Sequence, residues 1–126
     1  MPRSTTWRRL DRPSAMTDIP TRTFTLEDQR AFAALSGDGN AIHVDPLRAR
    51  RSLTGGPVVH GIHGLLWALD TWSARHGGPV ALRAIDVSFV KPIPIDTEVS
   101  LVIADKEAGA AIELRLGSSV EIEGVV

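Results

Sequence analysis

Between Ile62 and Arg75 the chain is apolar over most of the circumference of a helix. Ile62, Leu65, Leu66, Leu69 and Trp72 fall on one stripe at helical spacing, and Trp67, Ala68 and Ala74 widen it. A helix with so little polar surface is predicted to be buried, so the rest of the chain must enclose it. At about 1.5 Å per residue it is roughly 21 Å long. His76-Gly77-Gly78-Pro79 ends it. Only 126 residues are available in all, and nearly everything after the helix reads as β-strand. Ile85, Val87 and Phe89 alternate with Ala84, Asp86 and Ser88 in a strand over 82–90. Lys91 to Asp96 is a proline-marked connection. Val99, Leu101 and Ile103 form the inward row of a second strand, Ile112, Leu114 and Leu116 of a third, and Val120 and Ile122 of a fourth. Short turns between strands predict an antiparallel meander. One apolar sheet face and one buried helix predict an α+β fold in which the sheet curls round the helix.

Upstream, Thr21 to Phe24 reads as a short strand. Thr25 is the expected N-cap of a helix carrying Leu26, Phe32 and Leu35 on one side and stopping at Ser36-Gly37. Asp45-Pro46 opens a second predicted helix, to about Leu53, with Arg48, Arg50 and Arg51 on it. Thr54-Gly55-Gly56-Pro57 breaks that helix, and Val58 and Val59 are extended.

A hydrophobic share of 43% and a charged share of 23% are ordinary for one soluble globular domain, expected over 21–126. Residues 1–20 are Arg-rich without an apolar core, which fits a disordered N-terminal tail and not a secretory signal. The net charge of −1 gives no electrostatic case for nucleic acid or an anionic membrane. No apolar run approaches the roughly 18–20 residues of a membrane span. With no cysteine, disulfides and thiolate chemistry are excluded, and a cytoplasmic location is expected. The strand pattern still runs at Val125-Val126, as expected of a piece of a longer protein.

Two stretches carry chemistry. Ser36 to Asp45, SGDGNAIHVD, packs Asp38, Asn40, His43 and Asp45 among two glycines, and Gly55 to Gly61, GGPVVHG, runs straight into the apolar helix. Asp38 and His43, five apart across a tight loop, can reach one water as an acid/base pair. Read blandly, Asp38 is a turn carboxylate and His43 a loop histidine bonded to the backbone. Asn40 is expected to hold the loop by side-chain to backbone bonds, and Asp45 to cap the following helix. Gly61 begins the long helix, where an unpaired N–H and the helix dipole suit an oxyanion; its bland role is close packing. His60 reads as a hydrogen-bonded residue positioning the loop beside substrate. His60 and His63 share helical spacing, but no third ligand of matching spacing is evident, so no metal is expected. Gly55-Gly56 lacks the Lys-Ser/Thr of a phosphate loop. The arginines 48, 50 and 51 read as a solvated face, with phosphate binding as the alternative.

SGDGNAIHVD followed by GGPVVHG and an apolar helix resembles the MaoC-like dehydratases, which include the (R)-specific enoyl-CoA hydratases. The family motif Ser-Gly-Asp-x-Asn-Pro-(aliphatic)-His, with a small residue six positions on, is matched by Ser36, Gly37, Asp38, Asn40, Ile42, His43 and Ala49. His60-Gly61 matches the start of the central helix, and VSFVKPIPIDTEV the strand with a Phe-x-x-Pro bend. The likeness runs from about Phe24 to the C-terminus. Ala41 replaces the motif's Pro, Thr54 a common aromatic residue, and Ile62-His63 a more usual Met and small residue. His63 in that place resembles MaoC-like domains fused ahead of short-chain dehydrogenase domains. The resemblance implies a hot-dog fold and dimers joined sheet edge to sheet edge. It also implies hydration of enoyl thioesters, or dehydration of 3-hydroxyacyl thioesters, carried on CoA or acyl carrier protein, with no cofactor. In that reading Asp38 and His43 activate the water and Gly61 N–H polarises the thioester. Asn40, His60, Leu66 and Trp67 belong to the substrate site, the last two with Val87 and Phe89 along an acyl tunnel. A hot-dog acyl-CoA thioesterase and a non-catalytic module of a larger polypeptide are the competing functions. A single carboxylate facing a partner's helix is usual in the first, and a scaffold needs none of these side chains.

Overall fold

The first described strand, β1 (Thr21–Thr23), leads into helix α1 (Leu26–Ser36) through a reciprocal cap. Thr25 Oγ1 accepts from Asp28 N at 3.1 Å, and the Asp28 carboxylate accepts from Thr25 N at 2.9 Å. That bond to Thr25 N is the main reason the Asp28 carboxyl is held below its ordinary range. Gly37 ends α1 with φ 83°, a left-handed conformation that favours glycine. The computed structural model describes residues 19–126, so most of the tail expected over 1–20 lies outside the described residues.

Two single-turn helices follow, α2 (Ala41–Val44) and α3 (Pro46–Ala49). The first was expected to be loop; Asn40 caps it, accepting from Ile42 N at 3.1 Å. The second was expected to reach Leu53 but stops at Ala49. Only Ala49 on it is buried, while Leu47 and Leu53 are exposed. A short helix with no apolar face to pack does not propagate. Ser52 Oγ also takes the Ala49 carbonyl at 2.6 Å.

The long helix α4 (Gly61–Arg75) lies against a five-stranded antiparallel sheet. Its other strands are β2 (Asp86–Phe89), β3 (Glu98–Lys106), β4 (Gly109–Leu116) and β5 (Ser119–Val125). The helix buries Leu65, Ala68 and Trp72 against Val99, Leu101, Ile112, Leu114 and Ile122, the rows expected from strand alternation. Gly64 marks the closest approach: a Cβ there would meet Leu114 Cδ2 at 3.2 Å and Ile122 Cδ1 at 3.3 Å. This is the hot-dog fold. Enclosure is less complete than expected, since Ile62 and Leu66 are half exposed. The sheet covers one side of the helix, and 3.6 residues per turn carries these two away from it.

Strand order is β1-β3-β4-β5-β2. The β3-β4-β5 meander is as expected, but β2 pairs with β5 and not with β3. The connection after β2 explains this. Pro92 and Pro94 cannot donate to a ladder, and the segment lies instead on the loop before α4. There Val59 N donates to the Ile93 carbonyl at 2.8 Å and Ile95 N to the Pro57 carbonyl at 3.2 Å. The β2 strand is also shorter than predicted, and Ile85 and Phe89 are partly exposed at the sheet edge. Leu101, Leu114, Ile122 and Phe89 pair successively across four strands, so this row ends at the start of α4. A register shift after Leu114 leaves Glu121 as the extra residue of a bulge. Its carboxylate, buried, accepts from Leu116 N at 3.1 Å and Ser119 Oγ at 2.9 Å. No helix among the described residues is long and apolar enough to cross a membrane.

Candidate active site

Ser36 to Ile42 is held by three short-range bonds in succession. Ser36 Oγ accepts from Asp38 N at 3.2 Å, Asp38 Oδ1 from Asn40 N at 3.2 Å, and Asn40 Oδ1 from Ile42 N at 3.1 Å. Such bonds suit Ser, Asp and Asn and stiffen a loop without helix or sheet. Asn40 thus serves the loop. Asp45 serves α3, accepting from Leu47 N and Arg48 N.

The stiffened loop presents Asp38 to two histidines. His43, raised on α2, has Nδ1 2.8 Å from the Val58 carbonyl. Facing a carbonyl, Nδ1 carries the proton and donates it, so the lone pair of the neutral ring is on Nε2. That atom lies 4.0 Å from Asp38 Oδ2, a gap that one oxygen, hydrogen-bonded to both, can bridge. The Asp38 side chain is 55% exposed and that of His43 12%. His60 is buried beneath them, its ring stacked on His43 at 3.9 Å. Its Nε2 is 2.8 Å from the Asp38 carbonyl oxygen, and both its backbone N and Nδ1 are 2.9 Å from Gln29 Oε1.

Sequence reasoning missed Gln29, which is fully buried on α1. The available signal was an amide three residues before Phe32, on the face α1 turns inward.

His43 and Gly61 share a cleft of about 340 Å³ lined also by Ile62, Phe89, Lys91 and Ile93. Gly61 opens α4, and its N–H meets no acceptor among the described residues. Asp38, its Oδ2 4.0 Å from His43 Nε2, is not among the residues of the wall. Leu66 and Trp67 depart from the expected set. They line a different hollow with Arg22, His63 and Leu82. Five and six residues past Gly61 they point well away from it at about 100° per residue. Phe89 lies in the cleft, while Val87 packs on the core. Arg48, Arg50 and Arg51 are exposed.

Asp38, His43 and His60 each offer a ligand atom within 4.8 Å of the others. Both ring nitrogens of His60 are taken up by protein oxygens, and so is Nδ1 of His43. Two donors remain, short of the three protein ligands of a catalytic zinc site. The arrangement is suited to moving protons.

His63 lies apart, stacked on Phe32 at 4.6 Å with Nδ1 buried and unpartnered. Burial chiefly holds its imidazole below the ordinary 6.5; Arg22 and His60 push the same way and Asp28 opposes them. The folded chain therefore binds this proton less readily than the unfolded chain. Its contribution to stability is lost as pH falls below about 6.5. Replacing His63 by Phe is expected to shrink the fall in Tm between about pH 7.5 and 5.5. Equal falls in variant and parent would contradict this.

The comparisons with known proteins agree with the fold and the family resemblance. The sequence profile of the family described as MaoC like domain matches residues 11–120. The 3-hydroxyacyl-thioester dehydratase Y of Mycobacterium tuberculosis is 38% identical over 104 residues, covering 79% of this chain and 34% of that protein. The peroxisomal multifunctional enzyme type 2 of Drosophila melanogaster is 31% identical over 83 residues, 64% of this chain and 14% of that one. Among solved structures, the (R)-hydratase from A. caviae involved in PHA biosynthesis has a TM-score of 0.70 at 24% identity, covering 85% of this chain and 88% of that chain. HtdX of Mycobacterium tuberculosis has a TM-score of 0.73 at 24% identity, covering 84% and 45%. At such identity the structural likeness is one of fold. The chain spans only a minor part of the length of both curated relatives.

Proposed function

The chain belongs to the MaoC-like domain family, and from that premise we propose that it is a hydro-lyase. It adds water to trans-2-enoyl thioesters, or removes it from 3-hydroxyacyl thioesters, carried on CoA or an acyl carrier protein. The observation that carries this reading is the 4.0 Å separation of His43 Nε2 and Asp38 Oδ2, with His43 Nδ1 engaged by Val58, beside a cleft holding Gly61.

In hydration, a water bonded to both groups attacks the β-carbon as its proton passes to the pair. Electron density moves to the thioester oxygen, which becomes an enolate. The Gly61 N–H, at the positive end of α4, stabilises that oxygen. The pair then returns a proton to the α-carbon, and dehydration is the reverse. No cofactor takes part. The apolar cleft walls, Ile62, Phe89 and Ile93, suit the carbon chain near the reacting bond. His60 and Asn40 support the pair from below and from the loop.

Incubation with crotonyl-CoA tests this. Loss of the conjugated absorbance is expected. Release of free thiol would point to a thioesterase. No change on crotonyl-CoA or longer enoyl-CoAs would point to a non-catalytic module. We also propose a homodimer, since Ile62, Ile85, Phe89 and Val90 leave apolar surface around the β2 edge. Light scattering at micromolar concentration should give twice the chain mass; a monomer would count against it.

A further inference from the structure

We propose that Gln29 is a positioning residue whose side-chain carbonyl holds the His60 ring as a hydrogen-bond donor at both nitrogens, setting a fixed positive charge against Asp38 and His43. The inference rests on the hydro-lyase reading for its consequence, and on hydrogen-bond accounting for its substance.

The Gln29 amide fits only one way round. Oε1 faces the His60 backbone N–H at 2.9 Å, and Nε2 faces the Thr25 carbonyl at 3.3 Å. Reversing it would set NH₂ against N–H and carbonyl against carbonyl. Oε1 is therefore an acceptor, and His60 Nδ1, 2.9 Å from the same oxygen, must donate. At the far side of the ring Nε2 lies 2.8 Å from the Asp38 carbonyl oxygen, which also only accepts. A neutral imidazole has one N–H and would leave a lone pair against one of these oxygens. Only the imidazolium satisfies both. The ring is buried, so its charge needs a partner; the Asp38 carboxylate lies 4.0 Å from Nε2.

The charge acts on the pair in two ways. It fixes Asp38 at its backbone and attracts its carboxylate. It also lies 3.9 Å from the His43 ring, where a second cation would be repelled. With Nδ1 engaged by Val58, the lone pair on His43 Nε2 is the site left to take the proton of the bridging water. The other titratable group that His60 acts on is His63, whose imidazole is held below its ordinary value chiefly by burial. Phe32 closes the remaining side of the ring.

Two measurements on the full chain test this. The ring ¹⁵N signals of His60 should show both nitrogens protonated between about pH 6 and 8, and those of His43 only one. A neutral His60 tautomer in that range would overturn the proposal. This spectrum decides the matter even if the protein turns over no thioester or a Gln29 variant does not fold. The second measurement compares Gln29→Met, which lacks an acceptor, with Gln29→Glu, which keeps one. Gln29→Met should lose at least about tenfold in kcat, the scale of a small misplacement, and the acid limb of its rate profile should move to higher pH because His43 then protonates more readily. Gln29→Glu still accepts from His60 although its second oxygen faces the Thr25 carbonyl, and it should stay closer to the parental profile than Gln29→Met. A Gln29→Met variant that loses Tm but keeps both kcat and profile would make Gln29 merely structural and overturn its role.

Discussion

Asp38→Asn and His43→Gln are each expected to remove most turnover while leaving the fold intact. The side chain of Asp38 is half exposed and accepts one backbone bond, from Asn40 N, which an Asn oxygen can also accept. A Gln at 43 can still donate to the Val58 carbonyl, the one bond that anchors His43. Each replacement keeps shape and hydrogen bonding and loses the ability to exchange a proton at the 4.0 Å gap. General acid and base groups contribute about 10²–10⁴-fold, so a loss under about tenfold in both variants would end the assignment. The double variant should be scarcely worse than either single one, because groups that share one step are not additive. A large fall in Tm without that loss would return Asp38 and His43 to turn and anchor.

Gly61→Ala is the second large expected effect, and it has a different cause. The donor is backbone and survives the change. The added Cβ, however, would meet Phe89 Cδ1 at 2.7 Å and Cε1 at 2.8 Å. Phe89 is half exposed at the sheet edge, so its ring is what yields, and because it lines the cleft together with Gly61 its movement reshapes that wall. A displacement of about 1 Å near reacting atoms can cost 10²-fold, and a loss of that order in kcat/KM is expected. Gly61→Ala with Phe89→Ala should recover part of it, since the obstructing ring is gone. If Gly61→Ala alone stays within about threefold of the parent, this wall is not where substrate lies.

The clash at Gly61 and the pair at Asp38 differ in how far they could be read from the chain. Asp38 and Asn40 hold the loop through bonds two residues long and His43 stands five residues past Asp38, so the loop was legible as a motif and its Asn40 bond was foreseen. The capping box at Thr25, the stop at Gly37 and the inward rows Leu101, Ile112 and Leu114 were legible for the same reason. Partners far apart in sequence were not. Gln29 meets His60 31 residues on; its place three residues before Phe32 marks the inward face of α1 but not the partner it finds there. The placement of Leu66 and Trp67 also failed, because periodicity gives the angle between side chains and not which side the sheet will cover.

By itself, then, the sequence determined the elements, their apolar faces and the Ser36–Ile42 loop, since propensity, capping and alternation act over a few residues. Tertiary structure alone decided that β2 would pair with β5, that Phe89 would lie on Gly61, and that His60 would join Gln29 to Asp38. Those outcomes depend on how a proline-marked connection lies across a distant loop and how a helix is turned on its sheet. Both are settled by packing the whole core at once, which no local pattern encodes.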